Sequence, residues 1–212
     1  MDLVFFGRQG SGKGTQGKFV AKRYGLETFV TGDELRKLAT SDSKLGKKVK
    51  SIIEAGHLVS NEVVMEIIEN FMHQLPEGKS VIFDGIPRKM VQAETFNALM
   101  EKLGREFLCV LIEIGEETAI KRLASRRICS KCKAIYPSKY KKVNCECGGE
   151  LEIRTDDSNM DSIQNRLDAY EKETVPVINM YREQDKMIDI NGEADIEEVN
   201  DEVFRKLDPL FK

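Results

Sequence analysis

The sequence predicts an α/β fold built on a parallel sheet with helices on both faces. Three observations carry that prediction. Short apolar runs alternate with longer stretches of helical periodicity along a chain of 212 residues, and such alternation builds three-layer parallel sheets. Ser80–Phe83 and Phe107–Ile114 are almost unbroken apolar sequence, as strands covered on both faces require. The run Leu3–Phe6 opens into Gly7-Arg8-Gln9-Gly10-Ser11-Gly12-Lys13-Gly14-Thr15, the strand, glycine-rich turn and helix start of a phosphate-binding loop.

The elements follow in order. Strand candidates are Leu3–Phe6, Ser80–Phe83, Phe107–Ile114 and Met187–Ile190. Helices are expected after Lys13, Gly32, Lys44, Asn61, Lys89, Glu116, Asp161 and Asp195. Ser60, Asn61 and Asp195 precede apolar-periodic stretches, as N-caps do. From about Ile128 to Thr155 the pattern breaks into Cys-, Lys- and Gly-rich sequence. An insertion that short cannot bury enough core to fold unaided.

Bulk properties narrow the function. The chain is 41% apolar, carries 33% charged residues and has a net charge of −3. A core is affordable, and no basic excess argues for a nucleic-acid partner. The opening apolar run spans only Leu3–Phe6, and no run approaches the ~18 residues of a membrane span. A cytoplasmic chain without membrane contact is expected, and its five cysteines then call for a role other than disulfides.

The loop chemistry is direct. Glycines let backbone N–H groups wrap a phosphate, and the helix N-terminus adds partial positive charge. Lys13 is placed to reach the outer phosphates. The strict pattern has Ser or Thr straight after the lysine, whereas Gly14 intervenes and the hydroxyl arrives at Thr15. The loop specifies a phosphate, not a kinase, an ATPase or a GTPase. Thr31-Gly32-Asp33-Glu34-Leu35-Arg36 and Asp84-Gly85-Ile86-Pro87-Arg88 stand at element ends. Asp84 closes an apolar strand beside the loop, where a carboxylate can hold Mg²⁺ through water. Arg36 and Arg88 are fork-shaped donors suited to phosphate, though a surface salt bridge is the commoner fate of any one arginine. Gln92, four residues beyond Arg88, would share a helical face with it and read an amide-like base edge.

Cys129-x2-Cys132 and Cys145-x-Cys147 bracket a 12-residue spacer. Four thiolates from two tight turns make a tetrahedral Zn²⁺ site, which would staple the insertion. The second pair is one residue shorter than the usual Cys-x2-Cys, so three cysteines with another ligand, or no metal, stay open, as do iron and cobalt. Cys109 lies in an apolar strand and reads as core.

Taken together, Gly7–Gln16, Thr31–Arg36, Gly56–Glu62, Asp84–Gln92, Arg122–Cys132, Arg154-Thr155-Asp156-Asp157, Arg166 and Asn191-Gly192 resemble the adenylate kinases of the bacterial long-lid type. The resemblance implies a P-loop NTPase fold with a central parallel five-stranded sheet, a helical AMP-binding insert and a small zinc-stapled lid. It implies a core of residues 1–29, 60–121 and 161–212, an AMP-binding domain of 30–59 and a lid of 122–160. The implied reaction transfers the γ-phosphoryl of ATP to AMP and gives two ADP, with Mg²⁺ accompanying ATP and Zn²⁺ in the lid, in a monomer.

By the same resemblance Gly10, Ser11, Gly12, Lys13, Gly14, Thr15, Arg122, Arg126, Ile135, Tyr136 and Ala194 would hold ATP. Thr31, Arg36, His57, Leu58, Val59, Gly85, Ile86, Pro87, Arg88 and Gln92 would hold AMP. Lys13, Arg88, Arg126, Arg154 and Arg166 would act on the transferred group, with Arg154 and Arg166 also reaching AMP. Asp156 and Asp157 would orient the arginines; alternatively they form an N-terminal cap cluster before Asp161. Arg127, beside Arg126, reads as solvated or structural.

The departures from the family pattern concern rate and affinity. Arg8 replaces a small residue and would add positive charge near the phosphates. Gln9 replaces proline and relaxes the turn. Ile86 stands where an aromatic is usual, Ser60-Asn61 alters the motif after Val59, Tyr136-Pro137 replaces Tyr-His, and one residue is added between Asp157 and Arg166. Rival readings are a UMP/CMP or broad nucleoside monophosphate kinase, which Thr31 disfavours, and a zinc-ribbon nucleic-acid-binding ATPase. The latter would use Lys131, Lys133, Lys139, Lys141 and Lys142, but Tyr136 and Tyr140 are the only interleaved aromatics. A non-catalytic nucleotide sensor would not need the Lys13, Arg36, Arg88, Arg126 and Arg166 set.

Overall fold

A computed structural model of the chain describes residues 1–54, 59–137, 139–153, 157 and 159–211, with the side chains of Arg36, Ile53 and Glu54 left outside that description. Strand β1 (Asp2–Phe6) runs into helix α1 (Lys13–Tyr24), then β2 (Glu27–Val30), α2 (Thr31–Ala39), α3 (Lys44–Glu54) and α4 (Asn61–His73). Next come β3 (Val81–Asp84), α5 (Met90–Lys102), β4 (Phe107–Glu113) and α6 (Glu116–Ser125). The insertion holds β5 (Arg127–Cys129), β6 (Ile135–Tyr136) and β7 (Leu151–Ile153). Helix α7 (Met160–Ala169) continues through a π turn (Tyr170–Thr174) into α8 (Val175–Glu183), and β8 (Met187–Asn191) and α9 (Ile196–Leu207) follow.

The main sheet is five-stranded and parallel, in the order β2-β3-β1-β4-β8. From β1 the chain crosses to one side to reach β3 and to the other to reach β4. The crevice outside the C-terminal ends of such strands is where ligands bind, and the phosphate loop, Asp84 and Ile114 all emerge there. The short strands form a separate antiparallel sheet, β6-β5-β7.

Period-2 alternation divides the core between the two faces. Val4, Phe6, Val81, Phe83, Phe107, Cys109 and Leu111 point to the face covered by α4, α5 and α8. Leu3, Phe5, Ile82, Val110, Ile112 and Ile190 point to the face covered by α1 and α9. On the first face a chain of ring contacts runs Phe29–Phe83–Phe96–Phe107–Tyr181–Phe6, with centroids 5.1–5.9 Å apart. The charged start of β1 is also buried: Asp2 accepts from Arg105 Nε at 2.7 Å, from Arg105 Nη2 at 2.6 Å and from the Val81 N–H at 2.8 Å.

Besides the three short strands of the insertion, two elements escape the apolar-run criterion. β2 reads Glu-Thr-Phe-Val and is an edge strand with Glu27 and Thr28 exposed, so only Phe29 carries the buried signal. The α8 helix begins beyond the π turn, which interrupts the 3.6-residue period. Ser60 and Asp195 occupy N-cap positions, yet neither side chain bonds its helix end. Asp195 pairs instead with Lys139 of the insertion. Asn61 is the first residue of α4, and its amide donates to Thr95 Oγ1 at 2.9 Å. Side-chain caps that do work are Asn159, whose Oδ1 accepts from the Ser162 N–H at 2.8 Å at the start of α7, and Ser43, whose Oγ accepts from the Gly46 N–H at 2.9 Å at the start of α3. Among the described residues no helix is long and apolar enough to cross a membrane.

Phe96 sits mid-chain in the row of rings and is fully buried. Phe96→Ala is expected to lower unfolding free energy by about 3–5 kcal/mol, read from urea denaturation followed by circular dichroism.

Candidate active site and metal centre

The loop after β1 turns at Gly10 and Gly12, whose φ angles of 87° and 93° exclude most side chains. Gly12 is the N-cap of α1, and its carbonyl accepts from the Thr15 and Gln16 N–H groups at 2.9 and 3.0 Å. Gln16 is buried and tied to α9, donating to the Ile196 carbonyl at 2.9 Å and accepting from Asn200 Nδ2 at 2.8 Å. Among the described residues four buried side-chain polar atoms lack a hydrogen-bond partner, and three of them, Arg8 Nε, Gln9 Oε1 and Ser11 Oγ, lie on this loop. A buried hydroxyl of this kind, beside the N–H groups of a helix start, suits an anionic oxygen.

Lys13 donates to the Gly7 carbonyl at 3.3 Å. Loss of hydration pushes its pKa below the ordinary lysine value; Asp84 opposes that shift, and Arg88, Arg126 and Arg166 add to it. Three arginines from separate parts of the chain therefore lie within electrostatic reach of Lys13. Asp84 lies beside the loop, with Oδ2 3.6 Å from where a Cβ on Gly14 would stand. An acidic oxygen so close to a phosphate loop fits the water-mediated Mg²⁺ role.

Asp157 organises two of the cations. Its Oδ2 accepts from Arg126 Nε at 2.8 Å and Nη2 at 2.5 Å, and its Oδ1 accepts from Arg166 Nη1 at 2.6 Å. The carboxylate is fully buried, so both guanidinium groups are held by charge-assisted bonds at low dielectric. Arg122 Nη2 donates to the carbonyls of Glu193 and Ala194 at 3.2 and 3.5 Å, which brings Arg122 and Ala194, two of the expected ATP positions, together. Arg127 is structural: it donates to the Lys142 carbonyl at 3.3 Å and to that of Tyr140.

On the opposite side Arg88 Nε donates to the Gly85 carbonyl at 2.9 Å. Arg88 precedes α5 rather than sharing its face with Gln92, whose Oε1 accepts from the Arg88 N–H at 2.9 Å. The amide oxygen of Gln92 thus closes the start of its own helix. Thr31 opens α2, and its hydroxyl lies 3.4 Å from the Asp84 carbonyl. Ile86 and Pro87 are buried, Val59 packs on the same core cluster as Ile86, and Ile135 is exposed. His57, Leu58, Arg154 and Asp156 lie outside the described residues, as does the side chain of Arg36.

The four lid cysteines fit a metal. Their sulfurs all lie within 4.8 Å of one another, with Cys129–Cys147 and Cys132–Cys145 at 3.5 Å. A tetrahedron with Zn–S bonds of about 2.3 Å has edges of about 3.8 Å. The short Cys-x-Cys turn therefore does bring Cys145 in. The Cys145 N–H donates to the Gly149 carbonyl at 2.7 Å, and Gly148 N–H to the Cys145 carbonyl at 2.9 Å. A Cβ on Gly149 would stand 2.5 Å from Cys129 Sγ, so glycine leaves room for the sulfur cluster. Tyr136 turns its hydroxyl to Cys145 Sγ at 3.0 Å and packs its ring 4.3 Å from that of Tyr140. The Tyr136 hydroxyl, with the Cys147 N–H, draws the Cys145 thiol down to about 6, giving a thiolate at neutral pH, the form that ligates metal.

Comparison with known proteins agrees with this geometry. The family model described as adenylate kinase matches residues 5–186. The chain is 38% identical over 216 residues to an adenylate kinase of Kosmotoga olearia, covering 99% of this chain and all of that one. It is 37% identical to an adenylate kinase of Archaeoglobus fulgidus, with 99% of each chain covered. It is 36% identical to one of Fervidobacterium nodosum, covering 98% and 97%.

Replacing Cys129 and Cys132 together by serine removes half of the sulfur cluster but none of the convergent arginines. The double variant is expected to lose bound metal and to melt roughly 5 °C or more below the parent, with a smaller loss of turnover at low temperature. Differential scanning fluorimetry beside elemental analysis checks this; equal midpoints for variant and metal-loaded parent refute it.

Proposed function

The chain belongs to the adenylate kinase family, and on that premise we propose that it transfers the γ-phosphoryl of ATP to AMP, reversibly, giving two ADP. The observation that carries this reading is the convergence of Arg88, Arg126 and Arg166 on Lys13, with Asp157 joining two of the arginines. The Gly10–Thr15 loop and Lys13 hold the ATP phosphates, while Arg122 and Ala194 lie against the adenine. Thr31, Val59, Gly85, Arg88 and Gln92 frame AMP. Arg36, His57, Leu58, Arg154 and Asp156 complete the two subsites by family position. Residues 30–59 serve as the AMP-binding domain and 122–160 as the lid, on a core of 1–29, 60–121 and 161–212. The chain acts as a monomer in the cytoplasm.

The chemistry needs little covalent help. An AMP phosphate oxygen is already anionic, so it attacks the γ-phosphorus without a general base. The bond from that phosphorus to the β,γ-bridging oxygen breaks, and its electron pair leaves on the β-phosphate of ADP. Charge spread over the transferred oxygens is stabilised by Lys13, Arg88, Arg126 and Arg166. Asp157 holds two of the arginines in place before substrate arrives, so less reorganisation is needed during reaction. Mg²⁺, held through water by Asp84, would neutralise phosphate charge when bound. Zn²⁺ on Cys129, Cys132, Cys145 and Cys147 would staple the lid and take no part in transfer. A lid carrying Arg126 at its root would exclude water as it closes and so limit wasteful hydrolysis of ATP.

A coupled ADP-formation assay with ATP and AMP, CMP, UMP or GMP tests the reading. AMP is expected to give the highest kcat/KM; no ADP with any monophosphate would overturn it. Asp157→Asn keeps the shape but removes the charge that fixes two arginines. It is expected to lower kcat about a hundredfold, against a thermal melt that shows the fold retained. Lys13 titrates below the ordinary lysine value when free, and a bound polyanion raises it again. ATP affinity is therefore expected to weaken as pH rises through the lowered Lys13 pKa, with net proton uptake on binding in that window. Calorimetry in buffers of different ionisation enthalpy measures both, and Lys13→Arg should abolish the proton uptake.

A further inference from the structure

Arg8 is the charged residue of the phosphate loop that the proposed reaction does not use. Its Nη1 donates to the Ile114 carbonyl at 2.7 Å, and its Nη2 pairs with Glu171. Its guanidinium carbon lies 5.5 Å from the centroid of the Tyr170 ring. The charge expected to face the phosphates is thus engaged by a carboxylate, a carbonyl and a π face. Tyr170 and Glu171 open the five-residue π turn, which closes with the Val175 N–H donating to the Tyr170 carbonyl.

The other end of the same turn reaches the acceptor loop. Thr174 Oγ1 donates to the Arg88 carbonyl at 3.1 Å, and Glu173 pairs with Lys89 at 2.9 Å. Five consecutive residues therefore grip both the loop that carries Lys13 and the loop that carries Arg88. The ladder between β1 and β3 ends at the pair Phe5–Asp84, so the two loops leave the sheet beyond its last register point. Gln9 also lacks the fixed φ that a proline would impose on the donor turn. A tie outside the sheet supplies what both features omit.

We propose that the Tyr170–Thr174 turn is a brace setting the distance between donor and acceptor phosphates, with Arg8, Glu171 and Thr174 as positioning residues. The proposal rests on the reaction argued above. In-line transfer needs the reacting atoms about 3–3.5 Å apart, and a shift of about 1 Å can cost about a hundredfold in rate. A brace acts on that distance, so it changes turnover more than ground-state binding. Arg8 acting as a direct phosphate ligand has the opposite signature: releasing it from Glu171 would tighten ATP.

Glu171→Gln cuts the donor arm, Thr174→Val the acceptor arm, and both replacements preserve shape. Each is expected to lower kcat about tenfold, a fraction of the largest misplacement effect, with KM for ATP and for AMP within about threefold of the parent. Arg8→Ala should match Glu171→Gln, and the Arg8→Ala/Glu171→Gln double variant should fall no further than the worse single, since the pair acts as one unit. Melting midpoints measured on the same samples separate positioning from folding. Parent-like kcat in Glu171→Gln and Thr174→Val overturns the brace. So does a lower KM for ATP in Glu171→Gln, or a lowered midpoint with kcat intact below it. A parent that forms no ADP under the same conditions would overturn the reaction instead.

Discussion

Lys13, Arg88, Arg126 and Arg166 repel one another, and the fold around them works against that repulsion. Burial already lowers the pKa of Lys13, and each arginine lowers it further. Such a cluster is unfavourable until a polyanion enters it, so the protein must hold it open by other means. Asp84 and Asp157 supply the negative charge, and the Gly7 and Gly85 carbonyls supply acceptors. A cluster of this kind suits a group whose negative charge is spread over several oxygens.

The scaffold explains why these groups can be brought so close. β1 lies between β3 and β4, so the loops that follow β1 and β3 leave the same sheet edge side by side. Arg126 stands at the root of the small sheet, and Arg166 lies on α7, which packs against α6 through Leu123, Ile163 and Leu167. Asp157 then joins the two arginines across that packing. The order of causes runs from period-2 burial in β1, β3 and β4, to a shared loop edge, to a charge cluster that one buried carboxylate keeps in register.

Much of this was legible in the sequence wherever burial and chemistry coincide. β1, β3, β4 and β8 announce themselves because their apolar runs serve a two-sided core, and the loop and cysteine pairs because few other chemistries need those spacings. β2 carries little apolar signal, because it is an edge strand half exposed to solvent. The π turn and α8 are hidden as well, since an added residue in the turn breaks the helical period that reveals a helix. Arg8 reads in the sequence as a cation near phosphate because its partners, Ile114 and Glu171, are distant along the chain. Gln92 reads in the sequence as a base contact, and nothing in its local pattern shows that its oxygen is engaged by the Arg88 N–H. For Arg8 the deciding partners are tertiary neighbours that local pattern does not encode, whereas for Gln92 the partner is a backbone N–H only four residues away.

The neighbouring arginines 126 and 127 take different partners at the root of the insertion. Adjacent residues in a strand project to opposite faces. Arg126, at the junction of α6 and β5, reaches Asp157 and the charge cluster. Arg127, the first residue of β5, reaches the Tyr140 and Lys142 carbonyls of the lid's own loop. The sulfur cluster lies on that second side, where Tyr136 and Gly149 shape it. A single backbone step thus separates an arginine tied to the buried Asp157 carboxylate from one tied to the insertion's own backbone, on the side where the four sulfurs gather.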